Sequence, residues 1–268
     1  GGGTHNSAYL VPPGDSLPPD EMFHDLNGYN LPRPTKGIII RIGKVVTRGP
    51  DRHAAPTKEQ HICEMITAAY AHAHGFGPVI YAQFYMGSTA ELMYAQKNAV
   101  RGVAWNAQVP AFIPPNAMAG TIGDHKANFT CTIAEAWEGD CVRKIDNSLP
   151  MYQQFDPTIF AKEFVRLCAL AADAGFWHMD IKRANLLYRA APTATDPNAI
   201  ELTFTDFDSY FCRVMAPHLR ARTRNCCIAA TAACFLGEIR CQESKEVWLR
   251  FAEPIREAMK DLADPVDV

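Results

Sequence analysis

His178-Met179-Asp180-Ile181-Lys182-Arg183-Ala184-Asn185-Leu186-Leu187, with Asp206-Phe207-Asp208 a short interval later, is the stretch on which the reading of this chain turns. Leu186-Leu187-Tyr188 and the run from Ile200 to Thr205, aliphatic, aromatic or β-branched but for Glu201, read as two short strands. Between them, Ala190 to Ala199 is rich in Pro, Thr, Asp and Asn and reads as the turn. Such a hairpin would bring Asn185, at the start of its first strand, beside Asp206, at the end of its second. Asp180 stands just upstream in the same loop as Asn185. Two carboxylates and an amide in one small volume make an oxygen-rich site of the kind magnesium prefers.

These residues resemble the catalytic loop and metal-binding triplet of the protein kinase-like superfamily. The resemblance implies an α+β, two-lobed fold, with a small β-rich lobe bearing one regulatory helix and a larger, mainly helical lobe. It implies ATP and Mg2+ as ligands. Asp180 would orient an acceptor hydroxyl and take its proton, Asn185 would bind one magnesium ion, and Asp206 would reach both metals. Lys182 matches the position where serine/threonine kinases of the family carry a lysine against the transferred phosphate. His178 would brace the loop from within rather than act as a base. Asp208 stands where the family has a glycine, which implies a loop held in one backbone state.

Composition bounds the remainder. The chain has 268 residues, enough for one large domain or two lobes with a substantial core. Lys and Arg are scattered and the net charge is -3, so no nucleic-acid footprint is indicated. No stretch reaches the roughly eighteen apolar residues of a membrane span. The most apolar run, Cys226 to Gly237, is a candidate buried helix. Nine cysteines form an odd count without Cys-x-x-Cys spacing, which argues against a zinc site or a disulfide framework. Free thiols and the lack of a legible secretory leader lead to the expectation of a reducing, cytoplasmic compartment, with the nucleus also open.

In chain order, Gly1-Gly2-Gly3-Thr4-His5-Asn6 resembles the glycine-rich loop over nucleotide phosphates, with Gly1 and Gly3 fitting the pattern and Asn6 at its third glycine. A cloning scar would leave the same three glycines. The stretch 12–36, with six prolines, reads as a long surface loop inserted into the small lobe. Gly37 to Gly43 reads as a buried strand. By the resemblance it carries Arg41 where the family's phosphate-gripping lysine stands; choline-kinase-like enzymes also use arginine there. Lys44 is the fallback. Thr57-Lys58-Glu59-Gln60 is a capping box opening a helix with Ile62, Met65, Ile66 and Ala69 on one stripe. This would be the regulatory helix, and Glu64 the acid that pairs with Arg41, with Glu59 as competitor. Gly75-Phe76-Gly77-Pro78 resembles the entry to the fourth strand of small-molecule kinases.

A second insertion, 88–128, comprises a helix over 88–101 and a Pro- and Gly-bearing loop. Phe129 to Ala134 reads as the fifth strand. Residues 135–140 would then be the hinge, where adenine stacks between apolar side chains and bonds to backbone, with Glu135 and Trp137 as cofactor-binding residues and Asp140 reaching ribose. This bounds a small lobe at 1–134 and a large lobe at 141–268. Asp156-Pro157 caps a helix with Phe160, Phe164, Leu167, Cys168 and Ala171 on one stripe and Gly175 at its end. Helices are expected over 225–238 and 243–262.

The resemblance therefore implies a phosphotransferase that moves the γ-phosphoryl group of Mg-ATP to a hydroxyl. Lys182 points to a divergent serine/threonine kinase with a protein substrate. Arg41, the Gly-Pro turn, Asp208 and the short segment after it point to a choline- or aminoglycoside-type kinase acting on a small hydroxyl-bearing metabolite. A nucleotide-binding pseudokinase scaffold is the third reading.

Overall fold

A computed structural model describes residues 6–14, 17, 19, 23–24, 29–44, 58–86, 118–120, 129–144, 149–193, 195–207 and 212–262. Gly1, Gly3, Thr57, Asp208 and the expected helix over 88–101 lie outside the described residues. The architecture is α+β, and the chain divides into two compact units. The first holds 1–73, 77–136 and 207–210; the second holds 74–76, 137–206 and 211–268.

The first unit is built on a five-stranded sheet in the order β1-β2-β5-β3-β4. Its strands are β1 (Asn6–Val11), β2 (Ile38–Lys44), β3 (Ile80–Met86), β4 (Met118–Gly120) and β5 (Phe129–Glu135). All pairings are antiparallel except β3 with β4. Strand β4 is a departure from the loop expected over 109–128; three residues carry too little pattern to be read as a strand. Arg41 lies in β2 opposite Ala8 on one side and Thr132 on the other. Gly37 opens β2 at φ 89°, where a Cβ would meet the Val11 carbonyl oxygen at 2.1 Å, so only glycine fits. The helix α1 (Lys58–Ala73) packs on this sheet and is followed by a turn with Gly75 at φ 77°.

The stretch 12–36 is not simply a surface loop. Leu17 and Phe23 are buried with Ile38, and Val11, Leu31, Tyr81 and Ile133 pack against them. The Phe23 and Tyr81 rings meet edge-on at 5.2 Å, and Arg33 ties the segment back through a 2.8 Å bond to the Gly14 carbonyl. The prolines erase periodicity, but large apolar residues at irregular spacing still gain by leaving water.

The second unit is mainly helical. It contains β6 (Gly139–Asp140), α2 (Met151–Gln154), α3 (Pro157–Asp173), β7 (Phe176–His178), β8 (Leu186–Ala190), β9 (Ile200–Phe204), β10 (Cys212–Val214), α4 (Pro217–Gln242) and α5 (Lys245–Lys260). Helix α3 starts where expected: Asp156 Oδ1 accepts the Thr158 and Ile159 N–H groups, and Pro157 takes the first position, where no intrahelical donor is needed. Its stripe is buried against α4 and α5. Phe164 lies 4.6 Å from Phe235 of α4, and Phe160 lies 5.4 Å from Phe251 of α5.

Helix α4 extends two turns upstream of the expected start, because its first turns carry Arg220, Arg222 and Arg224 and no apolar stripe. The run from Cys226 to Gly237 is helical, but it buries one face only; Cys226 and Cys234 are exposed. The cysteines whose side chains are described are free thiols. Among the described residues no helix is long and apolar enough to cross a membrane.

Phe164 is fully buried between ring partners on two helices. Phe164→Ala is therefore expected to cost about 3–5 kcal/mol of stability, read from the shift of the denaturant midpoint at constant slope.

Candidate functional site

The loop carrying Asp180 is anchored at both ends by backbone pairing. Strand β7 pairs antiparallel with β10, placing His178 opposite Cys212. Residues Arg183–Asn185 form one turn of 3-10 helix, closed by the Asn185 N–H bonding the Lys182 carbonyl at 2.9 Å, and β8 begins at once. Strands β8 and β9 form the expected hairpin, with Leu186 opposite Phe204.

Thr205, just past β9, is held through both its backbone polar groups: its N–H bonds the Asn185 carbonyl at 3.0 Å and its carbonyl faces His178 Nε2 at 3.1 Å. A carbonyl only accepts, so Nε2 carries the ring proton, and Nδ1 accepts the Asp180 N–H at 3.4 Å. His178, 1 % exposed, thus braces the loop and the end of the hairpin at once.

On that frame the polar side chains converge. Asn185 Nδ2 donates to the Asp180 carbonyl at 2.8 Å and reaches Asp180 Oδ2 at 3.3 Å. This fixes the amide orientation, with Oδ1 as the acceptor atom for a cation. Lys182 Nζ lies 2.8 Å from Asp180 Oδ2. Asp206 follows Thr205 with φ 63°, a left-handed conformation that glycine would adopt without strain and that aspartate tolerates at some cost.

The first unit holds a separate charged pair. Arg41 Nη2 on β2 lies 2.5 Å from Glu64 Oε1 on α1. The adjacent turn of α1 is tied to the sheet by the buried Gln83, whose Nε2 donates to the Met65 carbonyl at 2.7 Å. The side chains of Glu59 and Lys44 are not among those described.

At the expected hinge, backbone groups are engaged within each unit. The Glu135 N–H bonds the Val79 carbonyl at 2.8 Å, and the Ala136 N–H bonds the Gly37 carbonyl at 3.0 Å. In the second unit the Trp137 ring lies under the Arg189 guanidinium at 4.5 Å. Asp140 serves a local turn, accepting the Val142 N–H at 3.1 Å.

Sequence reasoning missed Arg183. Its guanidinium bonds Glu238 through Nε and Nη2, both at 2.8 Å, and Nη1 bonds the Tyr152 hydroxyl at 3.2 Å and Glu243. Burial pulls the Arg183 pKa down, but the hydrogen bonds that it donates to Glu238 and Tyr152 outweigh it and raise the pKa above its ordinary value. No sequence signal marks these partners, which come from elements remote in the chain.

No family model matches the chain. No curated protein matches it either. Among solved structures it is similar to WaaP in complex with acyl carrier protein, at 14% identity over 84% of this chain and 74% of that one, with a TM-score of 0.41. It is also similar to the Rio2 kinase-ADP/Mg2+-phosphoaspartate complex from Chaetomium thermophilum, at 14% identity over 98% and 70% of the two chains, with a TM-score of 0.37. Both overlaps are partial, and neither structure's ligands are carried over to this chain.

Burial lowers the pKa of His178 below its ordinary 6.5, against the raising effect of the Thr205 carbonyl and of Asp206 and Asp180. The folded state keeps the ring neutral while the unfolded chain takes up a proton near 6.5, so between the depressed folded value and 6.5 the unfolded state binds more protons. Stability should therefore rise with pH through that window and fall as acid is added. Denaturant melts at several pH values check this, and His178→Asn should remove that component of the slope.

Proposed function

We propose that the chain is an ATP-dependent phosphotransferase that moves the γ-phosphoryl group to a serine or threonine hydroxyl. The observation that carries the reading is the convergence of Asp180, Lys182 and Asn185 on one loop, locked through Thr205 to Asp206. The acceptor oxygen forms a bond to the γ-phosphorus as the bond to the β–γ bridging oxygen breaks, ADP leaves, and the hydroxyl proton passes to Asp180. Lys182, within reach of the same carboxylate, supplies positive charge where charge builds on the transferred group. Arg41, oriented by Glu64, holds phosphate oxygens as a planar fork. Glu135 and Trp137 belong to the segment proposed to flank adenine.

The donor set at Asn185 and Asp206 is one amide oxygen and one carboxylate, which suits a magnesium ion that keeps several waters. Mg2+ bound there would neutralise charge on the phosphates. Among the described residues there is no cluster of three or more His, Cys, Asp or Glu side chains that could hold a metal ion.

A second acceptor class, a small hydroxyl-bearing metabolite, is favoured by Arg41 in the strand position of the family's lysine. Transfer assays with Mg-ATP against protein and small-alcohol acceptors separate the two. Asp180→Asn should lower transfer about 10²- to 10⁴-fold while ATP binding persists. Magnesium-dependent stabilisation by ATP with no transfer to any acceptor would sink both enzyme readings and leave a nucleotide-binding scaffold. Arg41→Ala is expected to weaken ATP binding about 10- to 100-fold by calorimetry, the loss of a charge-assisted hydrogen bond. Unchanged affinity would remove Arg41 from the site.

A further inference from the structure

We propose that Arg183 is the positioning residue of the loop bearing Asp180, Lys182 and Asn185, clamping it to the helices behind through Glu238, Glu243 and Tyr152. Its kinetic consequence rests on the phosphotransferase reading above; its structural consequence does not.

Arg183 lies between Lys182 and Asn185 and opens the 3-10 turn that sets the Asn185 amide. It is 7% exposed, yet its guanidinium is satisfied. Glu238 is taken by a two-pronged fork, and its Oε2 also stands 3.4 Å from the Arg183 backbone N–H, so side chain and main chain are held by one carboxylate. Glu243, at the junction of α4 and α5, takes Nη1 together with the Tyr152 hydroxyl. Tyr152 is itself fixed by Gln153 Nε2 at 2.8 Å and by the Phe251 ring of α5 at 5.2 Å. One side chain therefore joins the loop to α2, α4 and the start of α5.

A net stabilising role explains this poorly. Burying an arginine with two carboxylates costs desolvation that the pairing only roughly offsets, and apolar residues of the same volume often do as well. Directionality is what apolar packing cannot supply. The fork fixes the rotation of the turn, and the turn fixes the 2.8 Å bond from Asn185 Nδ2 to the Asp180 carbonyl. Lysine, a point charge on a flexible stem, cannot reproduce the fork.

The test compares Arg183→Met, Arg183→Lys, Glu243→Gln and the double variant Arg183→Met/Glu238→Gln with the unmodified chain. Readouts are the thermal melt, amide hydrogen exchange over residues 180–186, and kcat and KM for ATP. Arg183→Met should still melt cooperatively, exchange faster over 180–186 only, and lose about 100-fold in kcat, the order expected of an ångström-scale misplacement, with KM for ATP nearly unchanged. Arg183→Lys should not rescue. Glu243→Gln should show the same pattern in smaller measure, and it decides the matter should Arg183→Met fail to fold. The double variant should be no worse than Arg183→Met, because both changes break one unit.

Unchanged exchange over 180–186, or faster exchange spread over the whole second unit with kcat and KM lost together, overturns the clamp. Should the unmodified chain transfer no phosphoryl group, the phosphotransferase reading fails by itself, and the localised exchange still decides the clamp.

Discussion

The two hydrogen bonds at Thr205 are the constraint on which the site depends. Burial fixes only part of the loop that carries Asp180 and Asn185: Asn185 is 4% exposed, whereas the Asp180 side chain is 32% exposed. The backbone holds the rest. The Asn185 carbonyl and the His178 ring take the N–H and the carbonyl of one residue, so the end of β9, the start of β8 and the strand β7 are tied together. Asp206 follows directly, in a left-handed backbone conformation with φ 63°. Low dielectric around His178 makes each of these bonds costly to lose.

The charged pairs fall into different physical classes. Lys182 and Asp180 are substantially exposed, at 41% and 32%, so their attraction is screened and contributes little to folding; its value is in where it puts charge. Arg183 is nearly buried, and its partners Glu238 and Glu243 are about a quarter exposed, so direction rather than net attraction is what the network supplies. Arg41 and Glu64 lie between, in the first unit, with the Gln83 bond to the Met65 carbonyl steadying the helix turn beside Glu64. Each unit thus carries its own prearranged charged group, built on a sheet strand and helix in one and on a hairpin and loop in the other.

Legibility in the sequence followed periodicity. The cap at Asp156, the apolar stripe of α3 and the hairpin from Leu186 to Phe204 could be read because each buries one regular face or uses a local side-chain bond. The stretch 12–36 could not: Leu17 and Phe23 find their partners on β2, β3 and β5, and no local pattern records that. The first turns of α4 were missed for the opposite reason, since arginines give propensity but no stripe. Strand β4 is too short for any pattern to register.

Residue types and short-range spacing were determined by the sequence alone: two carboxylates, an amide, a lysine and a bracing histidine on a strand–loop–hairpin. Those features are local, set by turn chemistry and side-chain alternation over a few residues. Tertiary structure alone decided which carboxylates serve Arg183, that Glu64 meets Arg41, and that Asp140 closes a turn. Such pairings join residues far apart in the chain. Their energies depend on burial and direction that no linear pattern encodes, and so the residue that fixes the loop carried no mark in the sequence that contains it.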